Sequence, residues 1–228
     1  MELLRMIETI SGKHLFAPPL DSANLYTLRN NKGTTPTNEE KAVLSALGDQ
    51  GGGFFVEVGS KDGETFSRTV YLERTRDWQG ILIEDSESRA DEIVSKGRAH
   101  AWVAHGCLST PSSTDTTPTT TENEDGVIET LQQATDRCFP LHAFVASVCE
   151  DIKVVDLLSL GEVGDGVVEL LQGVKWSKVQ VRAILVSNNR RDQVKGFLSG
   201  QGFRLETNLE AHDLYLWNGE PRRAKPLD

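Results

Sequence analysis

Short apolar runs alternate with amphipathic stretches along most of the chain. The apolar runs are typical of buried β-strands and cover residues 54–58, 81–83, 101–104, 154–160 and 183–186. Stretches in which apolar residues recur at helical spacing lie between these strands and predict helices over residues 66–76, 86–96, 141–149, 165–173 and 190–200. Because strands that are apolar throughout are buried on both faces, this order predicts a parallel sheet covered by helices on either side.

The end of the chain follows a different pattern, since two further strands, 203–207 and 214–217, have no helix between them. Such a pair predicts an antiparallel hairpin at the end of the sheet. Right-handed connections between the parallel strands favour a doubly wound sandwich. The predicted fold class is therefore α/β and Rossmann-like, with a seven-stranded, mostly parallel sheet that ends in an antiparallel hairpin.

One domain, residues 39–219, holds all of these elements. Residues 1–38 are predicted to form an irregular leader with one short helix near its start, and residues 220–228 a polar tail. Asn38 is predicted to be the N-cap of the domain's first helix, and Gly48 to end that helix. A Ser/Thr-rich loop, 109–126, interrupts the domain; we interpret it as a surface insertion, with a lid or a modification site as alternatives.

Charge and cysteine content narrow the function classes. The chain has 24 Lys and Arg against 34 Asp and Glu, a net charge of −10, which disfavours nucleic acid as a partner. No apolar run is long enough to span a membrane, and the N-terminus lacks the pattern of a signal peptide. Three cysteines without a CxxC pair, and scattered histidines, predict neither a disulfide framework nor a metal site. We therefore expect a cytoplasmic location in a reducing compartment.

The candidate chemistry lies where the first two strands end. The strand 54–58 contains Glu57 and runs into a turn with Gly59 and Gly63, which is neither a GxGxxG nor a P-loop pattern. This turn indicates either an adenosine-type ligand or a structural tight turn. Glu84 ends the next strand, where a carboxylate can accept hydrogen bonds from the hydroxyls of a ribose or can simply close the strand.

Eight short segments follow one another in order: FFVEVG at 54–59, DGET at 62–65, YLER at 71–74, WQGILIE at 78–84, CLS at 107–109, CFPL at 138–141, VDLLSL at 155–160 and DLYLW at 213–217. Taken together, they resemble the FkbM family of S-adenosylmethionine-dependent methyltransferases, most closely its invertebrate Star-like branch. The resemblance implies a class I methyltransferase fold, S-adenosylmethionine as cofactor and S-adenosylhomocysteine as product. It also implies methyl transfer to a hydroxyl group of a small or glycan-like acceptor.

The resemblance also implies where the cofactor lies. It places the methionine part of the cofactor beside Glu57, Gly59, Asp62 and Gly63, and the ribose beside Glu84. The end of the third strand, up to Cys107, lies near the adenine in this interpretation.

The segment after the fourth strand departs from the family pattern. Where the family has SLDxEGxE, this chain has SLGEVGDG at 159–166, with Glu162 and Asp165 one position out of register. Glu162, Asp165 and His105 are the candidate catalytic residues, and His142 is a further candidate base. Methyl transfer is expected to be weak or absent if none of these residues takes the place of the acids in the family pattern. The alternative is a non-catalytic Star-like module that binds a cargo protein, which would place the chain in the endomembrane lumen.

Overall fold

The computed structural model describes residues 2–20, 25–29, 32–111, 120–122, 128–130, 136–148, 154–161 and 164–219. The helices of this part are α1 (Glu2–Thr9), α2 (Asn38–Ala46), α3 (Val70–Arg76), α4 (Glu87–Ser95), α5 (Leu141–Val148), α6 (Val167–Gly173) and α7 (Arg191–Gly200). The strands are β1 (Leu15–Phe16), β2 (Phe54–Val58), β3 (Gln79–Glu84), β4 (Ala101–His105), β5 (Cys107–Leu108), β6 (Thr120–Glu122), β7 (Ile128–Thr130), β8 (Cys138–Phe139), β9 (Val154–Leu160), β10 (Gln180–Ser187), β11 (Phe203–Asn208) and β12 (His212–Trp217).

The main sheet has the order β1-β4-β3-β2-β9-β10-β12-β11. Strands β4, β3, β2, β9 and β10 are mutually parallel, and β12 lies antiparallel between β10 and β11. All seven predicted strands are present, and the predicted terminal hairpin is confirmed. The fold is a Rossmann-like α/β sandwich whose mostly parallel sheet ends in an antiparallel hairpin.

The sheet has eight strands rather than the predicted seven, because part of the leader joins it. Leu15 and Phe16 pair antiparallel with Ala104 and Val103 of β4. A two-residue strand is too short to produce a period of apolar residues, so the sequence pattern did not indicate it.

Two hydrophobic layers cover the sheet, as the apolar strands predicted. One layer packs β-strand side chains such as Val56 against α5, α6 and α7. The other packs side chains such as Phe55 against α2, α3 and α4. Successive side chains of a strand point to opposite faces, so a strand buried on both faces is apolar at every position.

Helix α2 begins at Asn38, one residue earlier than predicted, because the N-cap is the residue before it. Thr37, not Asn38, is the N-cap: its side chain accepts from the Glu40 backbone N–H at 3.2 Å, and Glu40 Oε2 accepts from the Thr37 N–H at 2.8 Å. This reciprocal capping box requires Glu three residues after the cap, a spacing that Thr37 satisfies. The helix ends at Ala46, shortly before Gly48 as predicted.

A disulfide joins Cys107 and Cys138, with 4.4 Å between their Cα atoms. The two cysteines lie opposite each other in β5 and β8, which form a separate two-stranded parallel sheet. The expectation of no disulfide was therefore wrong. Pairing between cysteines 31 residues apart depends on where the fold brings them, which their spacing alone does not indicate.

Some predictions fall partly or wholly outside the described residues. Of the Ser/Thr-rich loop 109–126, residues 112–119 and 123–126 lie outside them, and Thr120–Glu122 forms β6 in a short antiparallel pair with β7. The polar tail 220–228 also lies outside them. Within the described ranges, every helix is too short or too polar to cross a bilayer.

Candidate functional site

Glu57 and Glu84 occupy the same face of the sheet near its carboxyl edge. Glu57 of β2 is paired in register with Leu82 of β3, so the two side chains share a face. Glu84 follows Leu82 by two positions and therefore points to that same face. The carboxyl ends of parallel strands form the ligand crevice in open α/β sheets. The two candidate carboxylates thus lie near the ends of neighbouring strands. Glu57 is level with Leu82 and so lies two residues further from the carboxyl edge than Glu84.

The Glu57 carboxylate is fully buried and is held by the segment that follows the turn. It accepts hydrogen bonds from the Ser67 and Thr69 hydroxyls, both at 2.7 Å, and from the Arg68 backbone N–H at 2.8 Å. Three donors leave a carboxylate little remaining capacity. Glu57 therefore holds residues 67–69, which lead from the turn into α3.

The turn after β2 has a backbone that requires glycine. Gly59 and Gly63 have φ values of +70° and +65°, and Lys61 between them has φ +57°. A Cβ at Gly63 would also lie 2.8 Å from the Ile93 side chain of α4. These constraints explain both glycines by the geometry of a tight turn.

Asp62 closes this turn on itself. Its Oδ1 accepts from the backbone N–H groups of Glu64 at 3.0 Å and Thr65 at 2.8 Å. Burial acts to raise the pKa of Asp62, but hydrogen bonds from Thr65, Glu64 and Phe66 outweigh it and lower the pKa overall. The aspartate is therefore held in its charged form, stabilising the turn.

The Glu84 side chain is buried and accepts a hydrogen bond from the turn that follows β2. Its Oε2 accepts from the Lys61 backbone N–H at 3.0 Å, and the Arg89 guanidinium lies 4.0 Å from its Oε1. Burial, followed by the neighbouring Asp85 carboxylate, raises the pKa of Glu84 to about 7. A carboxylate can accept about four hydrogen bonds, so Glu84 retains capacity for hydroxyl donors.

A buried hydroxyl without a protein partner lies in the same turn. Ser60 is fully buried, and its Oγ has no hydrogen-bond partner among the described residues. Ser159, which pairs with Glu57 from β9, has the same property. Buried polar atoms are normally satisfied, so these hydroxyls are consistent with a ligand or water that completes the site.

A buried ionic network behind the turn was not predicted from the sequence. Arg98, 2% exposed, donates to Glu73 Oε2 at 2.6 Å, to the Gly63 carbonyl at 2.8 Å and to the Thr69 hydroxyl at 3.0 Å. The Thr69 hydroxyl in turn donates to Glu57. Arg98 therefore connects α3 to the turn that carries the candidate cofactor residues. No local sequence pattern marks an arginine in this role.

The segment after β9 passes directly against the glycine turn. The Gly161 N–H donates to the Val58 carbonyl at 2.8 Å, and a Cβ at position 161 would overlap with the Gly59 carbonyl oxygen. The acidic residue that the FkbM pattern has here therefore does not fit this backbone. Glu162 lies outside the described residues. Asp165 belongs to a 3-10 turn, Gly164–Gly166, for which only the backbone is described.

The histidines predicted as replacement bases have separate environments. His105 pairs in register with Glu84, and its Nε2 lies 3.1 Å from the Asp85 carbonyl oxygen. A carbonyl only accepts, so Nε2 donates in this contact, and the lone pair of a neutral ring lies on Nδ1. His142 lies in α5, where burial, followed by Lys175 and Lys178, lowers its pKa to about 4.

Cys107, which the resemblance places near the adenine, and Asp156 of β9 are both bound to residues distant in sequence. Cys107 has no free thiol, because it is bonded to Cys138, but the strand end is tied to the site: the Gly106 N–H donates to the Glu84 carbonyl at 2.8 Å. Asp156 accepts from the Phe54 N–H at 2.9 Å and from Arg182 at 2.6 Å, which indicates a structural role. In the described part of the chain, His, Cys, Asp and Glu form no cluster of three or more that could hold a metal ion.

Comparisons with known proteins found similarity to solved structures only. No model of a protein family matches the chain. No curated protein matches it either. Precorrin-6y C5,15-methyltransferase from Geobacter metallireducens is 11% identical over 85% of this chain and 94% of its own, with a TM-score of 0.46. A SAM-dependent methyltransferase from Aquifex aeolicus is 12% identical over 95% and 98%, with a TM-score of 0.42. One from Geobacter sulfurreducens, in complex with S-adenosyl-L-homocysteine, is 12% identical over 88% and 72%, with a TM-score of 0.39.

Proposed function

We propose that this chain binds S-adenosylmethionine at the carboxyl edge of β2 and β3. The observation that carries the proposal is the link between the two strand ends: Glu84, a buried carboxylate with unused acceptor capacity, accepts the Lys61 N–H of the glycine turn. A ribose diol supplies the two donors that such a carboxylate can take. The unpartnered Ser60 hydroxyl in the same turn supports a ligand there.

The remaining turn residues have distinct roles in this proposal. Gly59 and Gly63 allow the backbone to approach the methionine part of the cofactor, and Asp62 holds the turn that they form. Glu57 acts through Ser67 and Thr69 rather than by direct contact, because its carboxylate is already occupied. The end of β4 and Cys107 border the side of the adenine. The bound sulfonium would supply an activated methyl group, leaving S-adenosylhomocysteine as the product.

The reaction that we propose is FkbM-like methyl transfer to a hydroxyl group of a small or glycan-like acceptor. The acceptor oxygen forms a bond to the methyl carbon as the carbon–sulfur bond breaks, and the hydroxyl proton passes to a base. Holding the two reactants in line can contribute about 7–11 kcal/mol, so a site without the family's acids can still accelerate transfer. Nucleic acid is not proposed as a substrate, because the net charge is −10.

Replacing Glu84 by alanine is expected to weaken binding of S-adenosylhomocysteine by about 1–3 kcal/mol, since the change removes a charge-assisted hydrogen-bond acceptor. Isothermal titration calorimetry of the two proteins measures the difference. Glu87→Ala, at an exposed position in the first turn of α4, is the matched control and should bind like the wild type. Equal affinity for wild type and Glu84→Ala would remove Glu84 from the site.

Binding of S-adenosylhomocysteine is also expected to depend on pH near neutrality. The pKa of Glu84 is raised to about 7, so the carboxylate is mostly protonated at pH 6 and mostly ionised at pH 8. A protonated carboxyl loses its charge and part of its acceptor capacity, so affinity should fall as the pH decreases, by about tenfold from pH 8 to pH 6. Calorimetry at a series of pH values measures this slope. The slope should be absent in Glu84→Gln; a slope that persists there would assign the effect to another group.

Gly161 favours a second candidate function, a non-catalytic Star-like module that binds a cargo protein. A side chain at this position would overlap with the Gly59 carbonyl oxygen, so the acid of the family pattern is not accommodated. Transfer of a labelled methyl group from S-adenosylmethionine to hydroxyl acceptors separates the two candidates. Turnover by the wild type that is lost in Glu57→Ala would argue against the module.

The disulfide favours an oxidising compartment over the cytoplasm predicted from the sequence. Disulfides such as Cys107–Cys138 persist in the secretory pathway and outside the cell, whereas cytoplasmic thiols are kept reduced. We therefore propose the endomembrane lumen or the cell exterior as the place where the chain folds.

A further inference from the structure

His212 and Glu39 form a close pair at the carboxyl edge of the sheet, outside the residues proposed to hold the cofactor. His212 is the first residue of β12, and its Nδ1 lies 3.1 Å from Oε1 of Glu39, in the first turn of α2. The His212 residue is 8% exposed. Because a carboxylate only accepts, Nδ1 carries the hydrogen in this pair, which leaves the lone pair of a neutral ring on Nε2.

Strand register places His212 in one row with the glycines of the candidate site. Val58 pairs with Leu160, and Leu160 with Val186, so Gly59, Gly161 and Ser187 are level with one another. Ser187 in turn pairs with His212. Adjacent strands are about 4.8 Å apart, so the His212 backbone lies about 10 Å across the sheet from Gly161. The register therefore brings His212 to the same edge of the sheet as the glycines of the candidate site.

Arg68 connects the pair to the cofactor turn. Its backbone N–H donates to Glu57 at 2.8 Å, and its guanidinium charge acts on the His212 ring. His212 also shares its face of the sheet with Leu214 and Leu185, and hence with Ser159 and Glu57. The His212–Glu39 pair thus lies at the same edge and on the same face of the sheet as the candidate site, on the side away from the proposed ribose and adenine positions.

The charges around His212 favour a neutral ring. Burial, followed by Arg68, lowers its pKa, and Glu39 and Asp213 oppose this more weakly. The Asp213 carboxylate is itself neutralised by Arg191, which donates to it twice, at 2.7 and 2.8 Å. A neutral imidazole oriented by a carboxylate is the arrangement of a general base.

We propose that His212 is the catalytic base of the methyl transfer, oriented by Glu39, and that it takes the place of the acids missing from residues 161–166. The inference rests on the proposed methyl transfer. As the acceptor oxygen bonds to the methyl carbon, the electrons of the carbon–sulfur bond remain on sulfur, and the hydroxyl proton moves to Nε2 of His212. The base then returns this proton to water.

The test measures transfer of a labelled methyl group from S-adenosylmethionine to methyl hexopyranosides, chosen as probes of a secondary hydroxyl. His212→Gln is expected to lower kcat about 100- to 10,000-fold, while affinity for S-adenosylhomocysteine stays within about twofold of wild type. His212→Ala should regain activity when imidazole is added, which a role in joining α2 to β12 would not produce. Glu39→Gln should lower kcat less than His212→Gln and shift the pH–rate profile.

His100→Gln is the matched control, because this exposed histidine lies just before β4, at the opposite edge of the sheet. It should keep wild-type kcat. Transfer that survives in His212→Gln, or absence of rescue by imidazole in a folded His212→Ala, would overturn the inference while leaving cofactor binding intact. If the wild type binds S-adenosylhomocysteine but transfers no methyl group, the proposal that His212 is a catalytic base is also overturned. A wild type that does not bind S-adenosylhomocysteine would overturn the proposed function itself.

Discussion

Replacing Arg98 by leucine is expected to lower the free energy of unfolding by about 3–5 kcal/mol, because the change leaves a buried carboxylate without its charged partner. The side chains of Arg98 and Glu73 are 1% and 0% exposed, so water cannot take the place of the lost guanidinium. The Gly63 carbonyl and the Thr69 hydroxyl also lose a donor. Urea unfolding followed by circular dichroism measures the difference.

Arg204→Leu provides the control for this change. Arg204 lies in the edge strand β11, is 52% exposed and pairs with Glu206 at the surface. Exposed ion pairs contribute little, so this variant should stay within about 0.5 kcal/mol of wild type. If Arg98→Leu lost no more stability than Arg204→Leu, the buried network would not be a main support of the turn.

The strands were predictable because burial on both faces leaves a simple signature. Every residue of β2 is buried, so the strand is apolar at all positions except Glu57, and the same holds for most of β3 and β9. The helices were predicted to within four residues. The largest error is at α3, which begins at Val70 rather than at residue 66. The Ser67 and Thr69 hydroxyls donate to the buried Glu57 carboxylate. These hydrogen bonds hold the segment before α3 in a non-helical conformation, although its apolar spacing predicted a helix.

The candidate site was predictable in position but not in its internal contacts. Glycines after a buried strand indicated the turn, and the positive φ values of Gly59 and Gly63 are the physical reason for them. Glu84 was predicted from its place at a strand end, which is a local property. The partners of Glu57 and the place of Arg98 depend on contacts between residues distant in sequence, which a periodic pattern does not contain.

The same distinction explains why His212 was not singled out from the sequence. Its partner Glu39 lies 173 residues away in sequence, and the row that joins it to Gly59 crosses four strands. Only the sheet order brings these positions level. A catalytic group supplied by the antiparallel strand β12 would compensate for the altered segment 159–166 without restoring an acid that Gly161 cannot accommodate.

Removing the disulfide is expected to lower the free energy of unfolding by about 3–4 kcal/mol, the entropic contribution of a closed loop of this length. Cys107 and Cys138 are 31 residues apart, and the loop between them includes the Ser/Thr-rich segment. The double variant Cys107→Ser/Cys138→Ser opens the loop in the unfolded chain, which gains conformational entropy. Urea unfolding of this variant and of the oxidised wild type measures the loss.

A reducing agent separates the effect of the bond from the effect of the two serines. The reductant should destabilise the wild type by nearly the full difference, and it should leave the double variant unchanged, because that variant has no bond between β5 and β8 to break. Wild-type stability that does not respond to reductant would mean that the two thiols are unpaired in solution. An oxidising compartment would then have no support from the structure, whereas Glu84 and the glycine turn would remain candidates for a cofactor site, since neither depends on the cross-link.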